Sequence, residues 1–99
     1  MTFPDTYQHS FHAEDRRIER GFTRAEVEEV VREGRVIEEY EDEYRGPSAL
    51  LLHWINEKER PVHVVAAPKK DITVIVTVYD PSDQPDTWND NYTKRQTDE

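Results

Sequence analysis

The residues of this chain best suited to chemistry near neutral pH are its histidines and arginines. His12, Arg16 and Arg20 stand four apart, so on a helix they lie along one side. A histidine gives or takes a proton near neutrality. An arginine holds a phosphate in a permanently charged fork. His63 sits among valines in VHVVAA, and His53 in LLLHWI. If the register sets His63 opposite Thr77, then His63, Thr77 and Tyr79 share one sheet face, and a helix-free face could hold a cleft. A one-residue slip destroys that grouping. Lys94-Arg95, after Trp88, would make a phosphate-contacting arm. Each feature has a plainer alternative. The arginines could form a solvated face paired with Glu14, Asp15 and Glu19. The histidines could be half-buried and satisfied, and the tail solvated with Trp88 pinned to the domain.

Other chemistries lose ground on residue type. There is no cysteine, hence no disulfide, thiolate nucleophile or zinc–thiolate site. His9 and His12 are three apart, but HExxH is absent, so no metal is expected. Three glycines in 99 residues leave no phosphate-cradling loop, and no GxSxG elbow is present. No apolar run approaches the roughly 20 residues that span a bilayer. The opening residues are neither basic nor apolar, and the expected location is the cytoplasm. Asp and Glu total 22 against 13 Lys and Arg, a net charge of -9, which opposes broad electrostatic binding of nucleic acid. The charge is uneven. Arg16, Arg17, Arg20 and Arg24 face only Glu19 in their stretch, whereas residues 26–43 hold nine acids and two arginines.

The elements that must position these residues follow from capping and period. Ser10 is a candidate N-cap for a helix over about 11–21, with Phe11, Ile18 and Phe22 as its apolar stripe and Gly21 as its stop. Thr23 to Glu26 matches a capping box for a second helix ending near Glu33, with Ala25, Val27, Val30 and Val31 as its buried stripe. Strands are expected at 35–40, 49–55, 62–67 and 72–79, joined by short turns and therefore antiparallel. In the last, Val74, Val76 and Val78 form the expected core face. The reading is a small α+β domain: two N-terminal helices packed in two layers on a three- to four-stranded, mainly antiparallel sheet. Residues 1–9 read as an irregular lead-in, 10–81 as the domain, and 82–99 as a polar tail anchored by Trp88. As an edge strand, ITVIVTVY would invite pairing into a homodimer.

These residues resemble a known family. The run from His12 to Phe22, HAEDRRIERGF, resembles the opening HAxxRxxERGI pattern of domain of unknown function family 4258, with Phe22 where the family usually has Ile. The continuation resembles it too: a Thr-capped helix ending VREG, then VIEEY, PVHVVAA, a final strand ending TVYDP, and a tryptophan before a basic pair. The resemblance covers roughly residues 9–95. The family is similar in pattern to small RelE-like and BrnT-like toxins, which are metal-independent ribonucleases. It implies the toxin of a type II toxin–antitoxin pair, acting on RNA or ribosome-bound mRNA without a cofactor. The implied partner is a cognate antitoxin of zinc-finger or helix-turn-helix kind. His12 and Arg16 match the helix signature, His63 the strand histidine, and Tyr79 the residue closing the last strand. Metal-free RNA cleavage needs a base for the 2′-OH, an acid for the leaving oxygen and a cation for the phosphorane. His12 and His63 would share the proton transfers. Arg16 and Arg20 would hold phosphate, Thr77 and Tyr79 would orient the substrate, and Lys94 and Arg95 would extend the grip. The alternative is a non-catalytic acidic module whose second helix and loop 41–43 dock a basic partner.

Overall fold

Side-chain capping sets both helix starts in the computed structural model, which describes residues 1–44 and 46–96. Helix α1 (Phe11–Arg20) begins where Ser10 Oγ accepts the Ala13 N–H at 3.0 Å. It ends at Gly21, whose φ of 76° suits glycine. Helix α2 (Arg24–Glu33) begins with the capping box between Thr23 and Glu26. It stops at Gly34, where a Cβ would lie 2.3 Å from the Val30 carbonyl and 2.7 Å from that of Leu52. Only a glycine lets the helix end close against the sheet.

The fold is α+β, with the two helices packed on a five-stranded mixed sheet. The strands are β1 (Tyr7–His9), β2 (Arg35–Asp42), β3 (Gly46–Ile55), β4 (Arg60–Pro68) and β5 (Thr73–Tyr79), in spatial order β1-β5-β4-β3-β2. β2 to β5 form an antiparallel set, and β1 pairs parallel with β5. The fifth strand corrects the expected count of three to four. β1 lies in the supposed irregular lead-in, where three residues carry no detectable period. Its anchor is Thr73, fully buried, whose N–H and hydroxyl donate to the Thr6 and Pro4 carbonyls. β5 is therefore an interior strand, and the edges are the short β1 and the charged β2, both poor templates for edge pairing.

On the helix side, Val27, Val30 and Val31 pack over Ala49, Leu51, Val62, Val64, Ala66, Ile75 and Val78. Ala25, expected in that stripe, is exposed. Val76 is the extra residue of a β-bulge, because Ala66 pairs with Ile75 while Val65 pairs with Thr77. The bulge breaks the simple alternation. Ile75 and Val78 face the helices, and Val74, Thr77 and Tyr79 face the other side, so the expected all-valine core face does not form. Of the expected stripe of α1, Phe22 is buried as expected, but Phe11 and Ile18 are not. Phe11 is 93% and Ile18 65% exposed, while Ala13 and Phe22 are buried. Small Ala13 lets α1 sit close to β5, and this points Phe11 and Ile18 to solvent. The sheet face away from the helices is covered in part by residues 87–96, whose Trp88 is 1% exposed and lies over buried His63.

Candidate active site

β1 accompanies β5 only as far as Ile75. Beyond it the edge of β5 is met by α1. The Ser10 N–H donates to the Ile75 carbonyl and the Ser10 hydroxyl to that of Val76, both at 3.1 Å. His12 then reaches the strand, with Nε2 3.1 Å from Thr77 Oγ1. Together with Ser10, Ala67, Lys69, Val74 and Val76, these two residues line an open cavity of about 630 Å³. α1 runs in the same direction as β5. At its end the Arg20 carbonyl accepts from Arg60, whose guanidinium also bonds Asp80 just past the strand. Arg16, one turn beyond His12, therefore lies at the level of β5 that leads to Tyr79.

A second pair stands next to the first. β4 and β5 place His63 directly opposite Tyr79, two residues from the expected partner Thr77. A shift of two keeps the face, so His63, Thr77 and Tyr79 do share it. The ring of His63 is fully buried and both nitrogens are engaged. Nε2 lies 2.9 Å from the Tyr92 carbonyl, which can only accept, so Nε2 carries the proton. Nδ1 is then the acceptor, and the Tyr79 hydroxyl donates to it at 3.2 Å. Burial pushes the His63 pKa down, which keeps the ring neutral. Burial pushes the Tyr79 hydroxyl up to about 12, so it keeps its proton. Tyr79 and Thr77 are two residues apart on one face, about 7 Å. The His12–Thr77 and Tyr79–His63 pairs thus follow one another along β5, and the first of them lines the cavity.

The remaining expected residues are distributed differently. Arg16 is bonded to Glu19 at 2.8 Å. Arg20 is a further turn away, its Nη1 buried and 3.8 Å from Glu19. Lys94 is exposed. Arg95 stacks over the Trp88 ring at 4.6 Å and binds Glu38 through two nitrogens, at 2.9 and 3.2 Å. It clamps the tail onto β2. Burial alone would raise the Glu38 carboxyl, but bonds from Tyr40 and Arg95 override it and hold it below its usual value. Lys69, Glu38, Tyr40 and the Tyr92 carbonyl were not expected at the site. Lys69 sits in a hairpin turn and Glu38 in an acidic run, and neither setting distinguishes them in sequence. Among the described residues no group of three or more His, Asp or Glu is placed to hold a metal ion.

The model of one protein family, a domain of unknown function (DUF4258), matches residues 9–80. The chain belongs to the DUF4258 family. The matched span holds both pairs, His12–Thr77 and Tyr79–His63, and ends before Trp88, Lys94 and Arg95. The DUF4258 segment thus supplies the side chains that line the pocket, and the tail that covers the sheet lies outside it. No curated protein and no solved structure matches the chain. Among the described residues no helix is long and apolar enough to cross a membrane.

Proposed function

We propose that this protein is a metal-independent endoribonuclease, the toxin of a type II toxin–antitoxin pair, acting on RNA or ribosome-bound mRNA. The observation that carries this reading is the pairing of His12 with Thr77 and of Tyr79 with His63 on one strand face, Thr77 and Tyr79 being about 7 Å apart along the backbone, with the first pair lining an open pocket. The resemblance to RelE-like and BrnT-like ribonucleases points the same way. In this reading the Tyr79 oxygen accepts the proton of the 2′-OH while its own proton passes to Nδ1 of His63. The Tyr92 carbonyl holds the other ring nitrogen and steadies the cation that forms. The 2′ oxygen attacks phosphorus, the P–O5′ bond breaks, and His12 protonates the leaving oxygen. The products are a 2′,3′-cyclic phosphate and a 5′-hydroxyl. Lys69 and Arg16 supply positive charge to the phosphorane. Arg95 serves the site indirectly, by clamping the tail whose Tyr92 carbonyl holds His63.

The test is cleavage of single-stranded RNA and of ribosome-bound mRNA by EDTA-treated protein. The products are sized and their ends identified. His12→Ala and Tyr79→Phe should each lower the rate by about 100-fold or more. His12 is exposed, so its variant should melt at the wild-type temperature. Intact RNA in both formats sinks the reading and leaves the acidic docking module, with exposed Glu39, Glu41, Asp42 and Glu43 as its surface.

A further inference from the structure

Phe11 and Ile18 stand out among the exposed large hydrophobic residues, because both lie on one well-formed helix. A phenylalanine 93% exposed and an isoleucine 65% exposed stand seven residues apart on the outward side of α1. They are about 10.5 Å apart along the axis. Nothing in the described chain covers them, although the helix beneath is well capped and packed. Asp15 lies between them, four residues after one and three before the other, so all three form one outward strip. Asp15 is exposed and, among the described residues, enters no ion pair or side-chain hydrogen bond. The other acids of the helix are engaged. Glu14 binds Arg17 and Arg24, and Glu19 binds Arg16.

From this strip we infer a docking site for a helix of a different protein, one that presents two apolar side chains with a lysine or arginine between them. Charge complementarity selects that occupant. A second copy is disfavoured by symmetry. A twofold axis pairing Phe11 with Ile18 of the other copy would bring Asp15 against its own image, two unpaired carboxylates at the centre of the contact. The spacing of seven suits a helix lying along α1, because a helical partner repeats its contact side every seven residues. A cation in the middle neutralises Asp15 while the apolar ends bury Phe11 and Ile18. The site is separate from the ribonuclease reading and holds whether or not RNA is cleaved. Phe11 is the chain neighbour of His12, so the occupant would stand beside the mouth of the pocket.

The test uses two synthetic helical peptides titrated against the full chain by calorimetry. Each carries leucines seven apart. One has arginine between them, four residues after the first leucine, and the other has glutamate there. The arginine peptide should bind at least about tenfold more tightly than the glutamate peptide. Phe11→Ser and Ile18→Ser should each weaken it by about tenfold or more. Their melting temperatures should stay at the wild-type value, because the side chains they remove are exposed. Asp15→Lys should reverse the preference between the peptides. Equal affinity for both peptides would overturn the inference. So would no binding of either at about 1 mM, or self-association of the chain that Phe11→Ser abolishes.

Discussion

Burial holds His63 neutral, and that makes one ring a lever on stability. Its folded pKa lies below the ordinary 6.5. The unfolded chain therefore takes up a proton first as the pH falls. The stability His63 contributes is present above about pH 6.5 and is lost as the pH drops through the folded value. Glu14 is held at about 2 by Arg24 and Arg17, so its contribution fades only below the ordinary 4.5, in a separate window. Urea unfolding of wild type should show a stability that falls from pH 7.5 to pH 5.5, and His63→Phe should flatten that fall. The variant should also cost about 1–3 kcal/mol at pH 7.5, because the Tyr79 hydroxyl and Tyr92 carbonyl lose their partner. An unchanged slope in His63→Phe would show that another group carries the dependence. At this scale the sequence was informative where a face survives a shift of register. His63, Thr77 and Tyr79 are grouped although the expected pairing was off by two. The contact of His12 with Thr77 was not legible. It depends on β1 stopping at Ile75 and α1 taking over its edge, a tertiary arrangement that no local pattern announces.

Elements with local chemistry were readable, and elements held only by distant partners were not. The Ser10 cap, the Thr23–Glu26 box and the glycine stops marked both helices close to their observed bounds. The hairpins of β3, β4 and β5 announced themselves by apolar runs between turns, β-branched in β4 and β5. β1 did not, because its bonds go to residues more than sixty positions away. The Val76 bulge did not, because an uninterrupted valine alternation hides an extra residue. The orientation of α1 did not, because a 3.6-residue period finds an apolar stripe but cannot say whether it meets the sheet or the solvent. The tail shows the other case: Trp88 was readable as an anchor, and the structure adds what it anchors to. Its ring packs edge-on with His63 at 4.5 Å and under Arg95, with β2 supplying Glu38. Trp88→Ala should cost about 3–5 kcal/mol, lowering the melting temperature by roughly 12 °C or more in a chain of this size. It should also speed amide exchange in β4 next to His63, while α2 keeps its protection. Exchange that accelerates evenly over the molecule would show that the tail is part of one cooperative unit and not a separable cover.

For the whole molecule, the net charge of -9 divides into acid spent inside and acid left outside. Glu28 pairs with His9 and Glu29 with His53. Asp80 holds Arg60, Glu38 holds Arg95, and Glu14 joins Arg17 to Arg24. These pairs tie the helices, the sheet and the tail together, which explains part of an excess that composition alone presents as a solubility device. Of the acids that stay exposed, one group lies on β2 and the following turn, at Glu39, Glu41, Asp42 and Glu43, at the far edge of the sheet from the pocket, and others are spread over the helices and turns, among them Asp15 and Asp71. The cavity end holds His12 and Lys69. An RNA bound there meets the charge of Lys69, with Arg16 one turn beyond His12 on α1, on a molecule that otherwise repels it, so few phosphates are neutralised. Counterion release then predicts a shallow salt dependence. With about two phosphates contacted, the slope of log affinity against log salt should be about -1.4 for a single strand. A His12→Ala, Tyr79→Phe double variant, unable to cleave, allows the measurement by fluorescence anisotropy with a short labelled RNA between 50 and 300 mM NaCl (about a sixfold span). Lys69→Ala should reduce the slope by about 0.7. A slope of about -4 or steeper would mean that roughly six phosphates are held, more than the pocket can contact. Binding would then have to run over another face, and the placement of the site between His12 and Tyr79 would be wrong.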